Sequence, residues 1–180
     1  MRLFIAIELE QETKEYLSMI QSEIKEKMSK EDKLKFASKE QIHLTLKFLY
    51  EVPQDKSEKI KELLGEIEFK PFSSSLNGFG FFPTEKYIRV VWVGLSPEGK
   101  IIALQESIEE KLKKLFKKEK DFRPHLTLAR ASCIKDSLSF INKLKGIKIE
   151  NKAIAIDSFK LMKSTLTPNG PIYDELQSFS

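Results

Sequence analysis

The stretch Arg123-Pro124-His125-Leu126-Thr127-Leu128-Ala129-Arg130 contains a tetrapeptide, His-Leu-Thr-Leu, that also occurs at residues 43–46. Its two copies begin at the only two histidines of the 180-residue chain, which lie 82 residues apart. With ordinary residue usage, a given histidine is followed by apolar, Thr and apolar residues about once in a hundred cases, so two such matches arise by chance roughly once in ten thousand. The repeat therefore indicates a shared function for both tetrapeptides.

Each tetrapeptide alternates polar and apolar residues, as a half-buried β-strand does. In a strand, residues i and i+2 point to the same face, so each copy places an imidazole beside a hydroxyl while both leucines turn into the core. One such strand alone would more often be structural than catalytic, but its repetition reverses that preference. The candidate functional residues are therefore His43, Thr45, His125 and Thr127.

The composition indicates a soluble globular protein. A length of 180 residues and a hydrophobic fraction of 41% are typical of one domain with a substantial core. No apolar run approaches the roughly 18 residues of a membrane span. The apolar residues 3–7 meet Glu8 and Glu10 and lack the cleavage site of a signal peptide. We therefore expect a cytoplasmic protein that has no membrane partner. We also expect a monomer, although the composition itself does not determine the oligomeric state.

Cysteine content and charge restrict the classes of site. Cys133 is the only cysteine, which excludes an internal disulfide, and one thiol with two imidazoles makes a poor zinc site. We expect neither a metal nor another cofactor. The net charge of +4 mildly favours a polyanionic partner such as RNA. The lysines between residues 111 and 120 are ordinarily explained as one solvated helix face.

Hydrophobic periodicity predicts four helices and a set of short strands. A strand begins at each tetrapeptide, and a turn is predicted at residues 168–171. The predicted helices cover residues 11–28, 55–67, 100–118 and 136–144, and the other strands cover residues 3–8, 36–38, 69–82, 87–95, two segments within 148–162, and 173–179.

The order strand, helix, motif strand, helix and strands occurs twice, which is an internal duplication in outline. We therefore predict an α+β fold in which residues 1–180 form a single bilobal domain. Two pseudo-symmetric antiparallel sheets, with helices outside, would flank a central cleft. A pseudo-two-fold axis between the lobes would bring the two His-Thr faces together across that cleft.

Two facing imidazoles form an acid-base pair at neutral pH, because histidine's ordinary pKa of about 6.5 allows one ring to be neutral and the other charged. Two hydroxyls and a cation beside them suit a phosphodiester. Strict alternation places Arg130 on the leucine face, so it reaches the site only if the strand twists, bulges or ends at Ala129. A surface arginine is an equal alternative, and Lys47, on the His43 face by parity, is a second candidate cation.

A base-stacking aromatic residue is harder to select. Phe48 lies near His43 in sequence, but parity puts it on the leucine face, where core packing is favoured. The sequence does not distinguish a base-stacking role from core packing for Phe4, Phe81 or Phe82 either.

Four segments together resemble a known family: R-L-F-I-A-I-E-L at Arg2, H-L-T-L-K-F-L at His43, R-V-V-W-V-G-L at Arg89 and R-P-H-L-T-L-A-R at Arg123. The paired H-x-T-x tetrapeptides resemble the signature of the two-histidine (2H) phosphoesterases. The flanking segments are similar to the RNA 2′,3′-cyclic phosphodiesterases, historically named 2′-5′ RNA ligases.

This resemblance implies the bilobal fold and a metal-independent opening of RNA 2′,3′-cyclic phosphates to 2′-phosphate ends. It implies that His43 is the proton donor to the departing 3′ oxygen and that His125 is the proton acceptor that activates water. Thr45 and Thr127 would bind the phosphate oxygens, and Arg130 matches the arginine that follows the family's second motif.

The resemblance also implies RNA with cyclic phosphate ends, including tRNA fragments, as partner, and a reversible 2′-5′ ligation. Two alternatives stay open: another 2H phosphoesterase that acts on a different nucleotide diester, and a non-catalytic RNA-binding module.

Overall fold

The structure, a computed structural model, describes residues 1–168 and 170–180, and within these residues the chain forms four α-helices and nine β-strands. Short 3₁₀ turns at Lys39–Gln41 and Gln54–Lys56 precede the first motif strand and the second helix. The elements in chain order are β1 (Arg2–Glu8), α1 (Gln11–Lys27), β2 (Lys33–Phe36), β3 (His43–Glu51), α2 (Ser57–Gly65), β4 (Phe72–Thr84), β5 (Tyr87–Ser96), α3 (Gly99–Leu112), β6 (His125–Cys133), α4 (Ser137–Leu144), β7 (Ala153–Ile156), β8 (Phe159–Thr167) and β9 (Gly170–Phe179).

The predicted α+β class and its antiparallel strands are confirmed, and the two predicted sheets are the halves of one continuous sheet. The strand order is β7-β4-β5-β6-β3-β1-β8-β9, with β2 paired to β6. The motif strands β3 and β6 are central, and a single residue pair, Leu44 with Leu126, joins them. Each half thus consists of one motif strand and the strands outside it.

The helices cover the leucine face of this sheet. Leu44, Leu46, Leu126 and Leu128 are at most 1% exposed and belong to one large core cluster. That cluster includes the apolar stripes of all four helices, which are spaced three and four residues apart so that one side of each helix meets the sheet. The helical members include Leu17, Ile20, Ile24, Ile60, Leu64, Ile101, Ile108, Leu112, Phe140 and Leu144.

Several element boundaries differ from the prediction. The third helix ends at Leu112 rather than at residue 118. The Leu112 carbonyl still accepts hydrogen bonds from the amides of Leu115 and Phe116, and the chain then turns. Leu115, which the apolar spacing of the predicted helix 100–118 places in the core, is 36% exposed. The last strand begins at Gly170, and the predicted turn includes residue 169, which lies outside the described residues. No helix within the described residues has the length and apolarity of a membrane span.

The first motif strand contains a β-bulge at the last residue of its tetrapeptide. Lys47 of β3 pairs with Ile5 of β1. The next β1 residue, Ala6, pairs with Thr45, so Leu46 is an extra residue on β3. An extra residue reverses the alternation of side chains beyond it. The side chain of Lys47 therefore points to the helical face, the same face as the two leucines.

The second motif strand has a bulge at the equivalent place. Ala129 of β6 pairs with Val91 of β5, whereas the next β5 residue, Trp92, pairs with Thr127. Leu128 is therefore the extra residue. As a result β3 and β6 share one burial pattern over nine residues, in which positions four and five are both buried and position six is exposed.

Lys47 is 1% exposed and lies in a buried ion pair, so its prediction as a cation of the site is wrong. Its Nζ donates to both carboxylate oxygens of Glu109 on α3, at 2.9 and 2.8 Å, and to the Lys117 carbonyl at 2.9 Å. Glu109 Oε1 also accepts from Gln105 Nε2 at 2.9 Å and from the Glu119 amide at 3.1 Å. The parity rule failed for Lys47 because the bulge lies between it and His43.

Replacing Lys47 by methionine leaves the Glu109 carboxylate buried without its cation. We expect the free energy of unfolding to fall by about 3–5 kcal/mol, because an unpaired buried charge loses its hydration without compensation. The double variant Lys47→Met, Glu109→Gln should be more stable than the single variant, since an amide needs no counter-ion. Urea denaturation at pH 7 measures both.

The exposed ion pair of Lys113 with Glu110 provides the control, and Lys113→Met should leave the urea midpoint unchanged. A Lys47→Met protein as stable as the unsubstituted chain would contradict the predicted role of the buried pair.

Candidate active site

The sheet places both His-Thr pairs on the face opposite the helices. The pairing of Leu44 with Leu126 sets a register in which His43 lies across from Thr127, and Thr45 across from His125. All four side chains are partly exposed, whereas the two leucines between them are buried. The structure thus brings the four predicted residues of the repeated motif together.

The two bulges add one further side chain to this face from each strand. Arg130, five residues after His125, is exposed, and its charge acts on His125 and on Tyr173. Phe48, five residues after His43, is 41% exposed, so its predicted packing in the core is wrong. The same reversal of alternation that removes Lys47 from the site places Phe48 in it.

His43 is held in an aromatic environment. Its ring stacks on Phe4 with centroids 5.0 Å apart and meets the edge of Tyr173 at 5.2 Å. Its Nε2 lies 2.9 Å from Thr45 Oγ1, which is hydrogen-bonding distance. Its Nδ1 is buried and has no hydrogen-bond partner within the described residues. The position of this ring is therefore determined mainly by packing on β1 and β9.

His125 is oriented by the backbone. Its Nδ1 lies 2.7 Å from the Arg123 carbonyl, and because a carbonyl only accepts hydrogen bonds, Nδ1 carries a proton. In the neutral ring, Nε2 is then a free acceptor. Phe82 contacts the ring edge-on at 4.9 Å and Trp92 lies at 5.8 Å.

Trp92 lies flat against Gly80 of the neighbouring strand. A Cβ atom at Gly80 would come within 2.1 Å of the indole, so a larger residue there would displace the ring. The guanidinium carbon of Arg123 lies over the indole, 5.9 Å from the ring centroid. Gly80 thus allows Trp92 to form a wall behind His125.

Burial lowers the pKa of both histidines, because a desolvated imidazole disfavours its charged form. The pKa of His43 falls to about 4, chiefly by burial, while Glu8 raises it and Lys14 and His125 lower it. The pKa of His125 is also lowered, chiefly by burial. The hydrogen bond to the Arg123 carbonyl raises this pKa, and the charge of Arg130 lowers it. Both rings are therefore neutral at pH 7 in the free protein.

Glu8 and Lys14 form the ion pair nearest to His43. Glu8 pairs with His43 across the β1–β3 ladder, and Lys14 Nζ lies 2.7 Å from its carboxylate. A cavity of about 300 Å³ opens beside them and is bounded also by Lys160 and Tyr173. This end of the site carries charges of both signs.

The sequence reasoning missed Tyr173 and did not distinguish Phe4, Phe82 and Trp92 from core residues. These residues come from β9, β1, β4 and β5, and each contacts a histidine only because of strand order. Their aromatic type was the only local signal, and the chain has 13 phenylalanines.

Within the described residues, no group of three or more His, Cys, Asp and Glu side chains is arranged to hold a metal ion. The polar groups of the two motif strands on this face are two imidazoles, two threonine hydroxyls and one guanidinium, and the Glu8–Lys14 ion pair lies at one end. Such a set can bind an anion and exchange protons with it.

Comparison with known proteins identifies the family. The model of the LigT-like phosphoesterases matches residues 7–92 and 93–173, so each match contains one tetrapeptide. The chain belongs to the LigT-like phosphoesterases. The resemblance recognised from the motifs is therefore confirmed, and the two matches agree with the internal duplication.

Two archaeal relatives of this LigT-like chain are named RNA 2′,3′-cyclic phosphodiesterase. The protein from Archaeoglobus fulgidus is 37% identical over 180 residues and covers 99% of both chains. The protein from Methanocaldococcus jannaschii is 36% identical over 182 residues, covering 99% of this chain and 100% of the relative.

Two solved structures share the fold of this chain. A protein from Thermus thermophilus superposes with a TM-score of 0.80 at 29% identity, covering 100% of this chain and 97% of the other. The crystal structure of Escherichia coli LigT complexed with 3′-AMP gives a TM-score of 0.78 at 26% identity and covers 99% and 96%.

The depressed pKa of His43 should respond to an anion in the site. In the free protein we expect this imidazole to titrate at about 4. Inorganic phosphate should raise the pKa, because a neighbouring negative charge favours the charged ring. Histidine NMR signals followed from pH 3.5 to 8 measure both values, and His125→Asn leaves one histidine signal for assignment. Sodium chloride at equal ionic strength is the control, and a midpoint near 6.5 without phosphate would contradict the prediction.

Proposed function

We propose that this protein hydrolyses RNA 2′,3′-cyclic phosphate ends to 2′-phosphate ends. The observation that carries the proposal is the placement of both His-Thr pairs and Arg130 on one face at the centre of the sheet. The family match and the names of its relatives supply the substrate class. The chemistry needs two proton transfers and stabilisation of an anion, which are the capacities of this set of groups.

In the proposed reaction, His125 acts as the base. Its Nε2 is the free acceptor of the neutral ring, since Nδ1 donates to the Arg123 carbonyl. Nε2 takes a proton from water as the water oxygen attacks phosphorus. The bond from phosphorus to the 3′ oxygen breaks, and the electron pair leaves with that oxygen. The product is the 2′-phosphate.

His43 donates a proton to the departing 3′ oxygen. This role requires a charged ring, whereas burial keeps His43 neutral in the free protein. The negative charge of the bound phosphodiester opposes the burial effect and favours protonation. We therefore infer that substrate binding itself charges the proton donor, and that the pH optimum of kcat lies above that of kcat/KM.

Thr45, Thr127 and Arg130 bind the non-bridging phosphate oxygens. The Thr45 hydroxyl is already 2.9 Å from the His43 Nε2, so one oxygen held by this threonine would lie beside the proton donor. The guanidinium supplies a charge that stabilises the pentavalent transition state. The two threonine hydroxyls and the guanidinium can bind the phosphate oxygens directly, without a metal ion.

Phe48 is proposed as the platform for the terminal base. It is exposed on the site face, and its ring centroid lies 6.3 Å from that of Phe4, which stacks on His43. Exposed aromatic rings beside a phosphate site are how proteins hold unpaired bases. The E. coli relative was crystallised with an adenine nucleotide, which is consistent with a base subsite in this fold.

Further parts of the proposal concern the cellular role. We propose that residues 1–180 act as a single cytoplasmic domain and as a monomer, with tRNA fragments among the substrates. The same proton transfers, with a ribose 5′ hydroxyl in the place of water, would give 2′-5′ ligation, and their reversal would cleave the 2′-5′ linkage. Hydrolysis is favoured because water is in excess.

The decisive assay uses a short RNA that ends in a 2′,3′-cyclic phosphate, incubated with the protein in excess EDTA. We expect 2′-phosphate as the product and a loss of at least about 10²-fold in turnover for either His43→Ala or His125→Ala, since each removes one proton transfer. Chromatographic separation of 2′- and 3′-phosphate ends measures both results.

Lys148→Ala, on the exposed surface, is the control, and circular dichroism checks that every variant folds. Formation of 3′-phosphate, or wild-type turnover in either histidine variant, would refute the proposed mechanism.

Replacing Phe48 by leucine tests the base platform. We expect KM to rise by about five-fold or more with kcat nearly unchanged, because stacking is lost but the phosphate contacts remain. Phe48→Tyr keeps the ring and should keep KM. Leu138→Ala, at an exposed apolar residue on α4, is the control. An unchanged KM in Phe48→Leu would place the base elsewhere.

A further inference from the structure

Residues 113–123, called here the basic segment, carry an excess of positive charge. The segment contains six cationic residues and two acidic residues. Its net charge of +4 equals that of the whole protein, so the positive and negative charges of the remaining residues cancel. The sequence predicts that these lysines lie on a solvated helix face. The helix ends at Leu112, however, and the lysines of the basic segment lie beyond it.

The structure fixes the basic segment against the first motif strand. Lys47 Nζ holds the Lys117 carbonyl at 2.9 Å, and Glu119 Oε1 accepts from the Phe48 amide at 3.2 Å. At its other end the segment continues directly into His125. It therefore lies along the part of the site that contains Phe48.

The cations of this segment are available for a ligand. Lys117, Lys118 and Lys120 are exposed, and none of them forms a salt bridge within residues 1–168 and 170–180. The carboxylate of Glu119, one of the two acidic residues, accepts a hydrogen bond from the Phe48 amide. The surface presented to solvent is thus strongly positive.

An exposed aromatic residue lies on the same side. Tyr50 is 63% exposed, and its ring centroid is 6.1 Å from that of Phe48. A row of rings therefore leads outward from His43 through Phe4 and Phe48 to Tyr50. Exposed aromatic rings, on which bases can stack, beside cationic side chains are the usual surface for single-stranded nucleic acid.

We propose that Tyr50 and the basic segment form a track for the RNA chain on the 5′ side of the terminal nucleotide. This proposal rests on the proposed function. The ring centroids from His43 through Phe4 and Phe48 to Tyr50 are 5.0, 6.3 and 6.1 Å apart in turn, so the track from His43 to Tyr50 is at most about 17 Å long. At roughly 3.4 Å per stacked nucleotide, it accommodates up to about five nucleotides. The lysines bind phosphates, and Tyr50 stacks a base.

The test compares adenosine 2′,3′-cyclic phosphate with a nonamer RNA that ends in the same nucleotide. We expect the nonamer to have the higher kcat/KM and a steeper dependence on salt, because each phosphate contact adds about 0.7 to the slope of log kcat/KM against log salt. If neither substrate is hydrolysed, the proposed function itself fails. Hydrolysis of both with equal kcat/KM refutes the track alone.

The triple variant Lys117→Gln, Lys118→Gln, Lys120→Gln removes the central charges of the segment. We expect kcat/KM for the nonamer to fall by about ten-fold at moderate salt while that for the mononucleotide stays constant. The control triple variant Lys143→Gln, Lys145→Gln, Lys148→Gln removes the same charge from exposed positions on and after α4. Equal losses in the two triple variants, or an equal loss on the mononucleotide, would overturn the proposal.

Tyr50→Asn tests the aromatic part of the track. Tyr50 has a φ of 55°, a conformation that asparagine tolerates, so the substitution removes the ring without straining the backbone. We expect KM for the nonamer alone to rise by about five-fold or more, and Tyr50→Phe to preserve it. An unchanged KM in Tyr50→Asn would show that no base stacks there.

Discussion

A β-bulge at the last residue of each His-Leu-Thr-Leu tetrapeptide determines which side chains share the site face. The extra residues, Leu46 and Leu128, let two consecutive side chains enter the core and turn the next one to the opposite face. Without the bulges, Phe48 and Arg130 would point to the helices. The same backbone irregularity in both halves therefore gives each histidine a partner five residues further along its strand.

The partners differ, and this difference makes a pseudo-symmetric site directional. One half provides an aromatic ring at Phe48 and the other a cation at Arg130. A cyclic phosphate alone fits a symmetric pair of histidines in two orientations. In the proposed function, a nucleoside attached to it does not, because its base contacts the ring and its phosphate contacts the guanidinium. Under that proposal, the residues after the bulges rather than the repeated motif set the order of donor and acceptor.

Local sequence was enough to predict the helices, most strands and the four residues of the two tetrapeptides, since these depend on periodicities that a strand or helix imposes. It failed at Lys47 and Phe48, because a bulge is set by pairing with strands that are distant in the chain. Arg130 was selected by its resemblance to the family and not by parity. Tyr173 could not be found, because only the position of β9 in the sheet brings it to His43.

The buried Lys47–Glu109 pair connects the fold to the site. A buried ion pair adds little net stability compared with apolar residues of similar size, so its presence calls for another explanation. Lys47 is the residue just after the bulge, and its ammonium also donates a hydrogen bond to the Lys117 carbonyl. The Glu109 carboxylate accepts a hydrogen bond from the Glu119 amide. Glu119 in turn accepts the Phe48 amide. This chain of hydrogen bonds fixes the end of α3 relative to β3, and it can do so only with groups that have several donors or acceptors. An apolar pair would fill the same volume but leave the basic segment without an anchor beside the site.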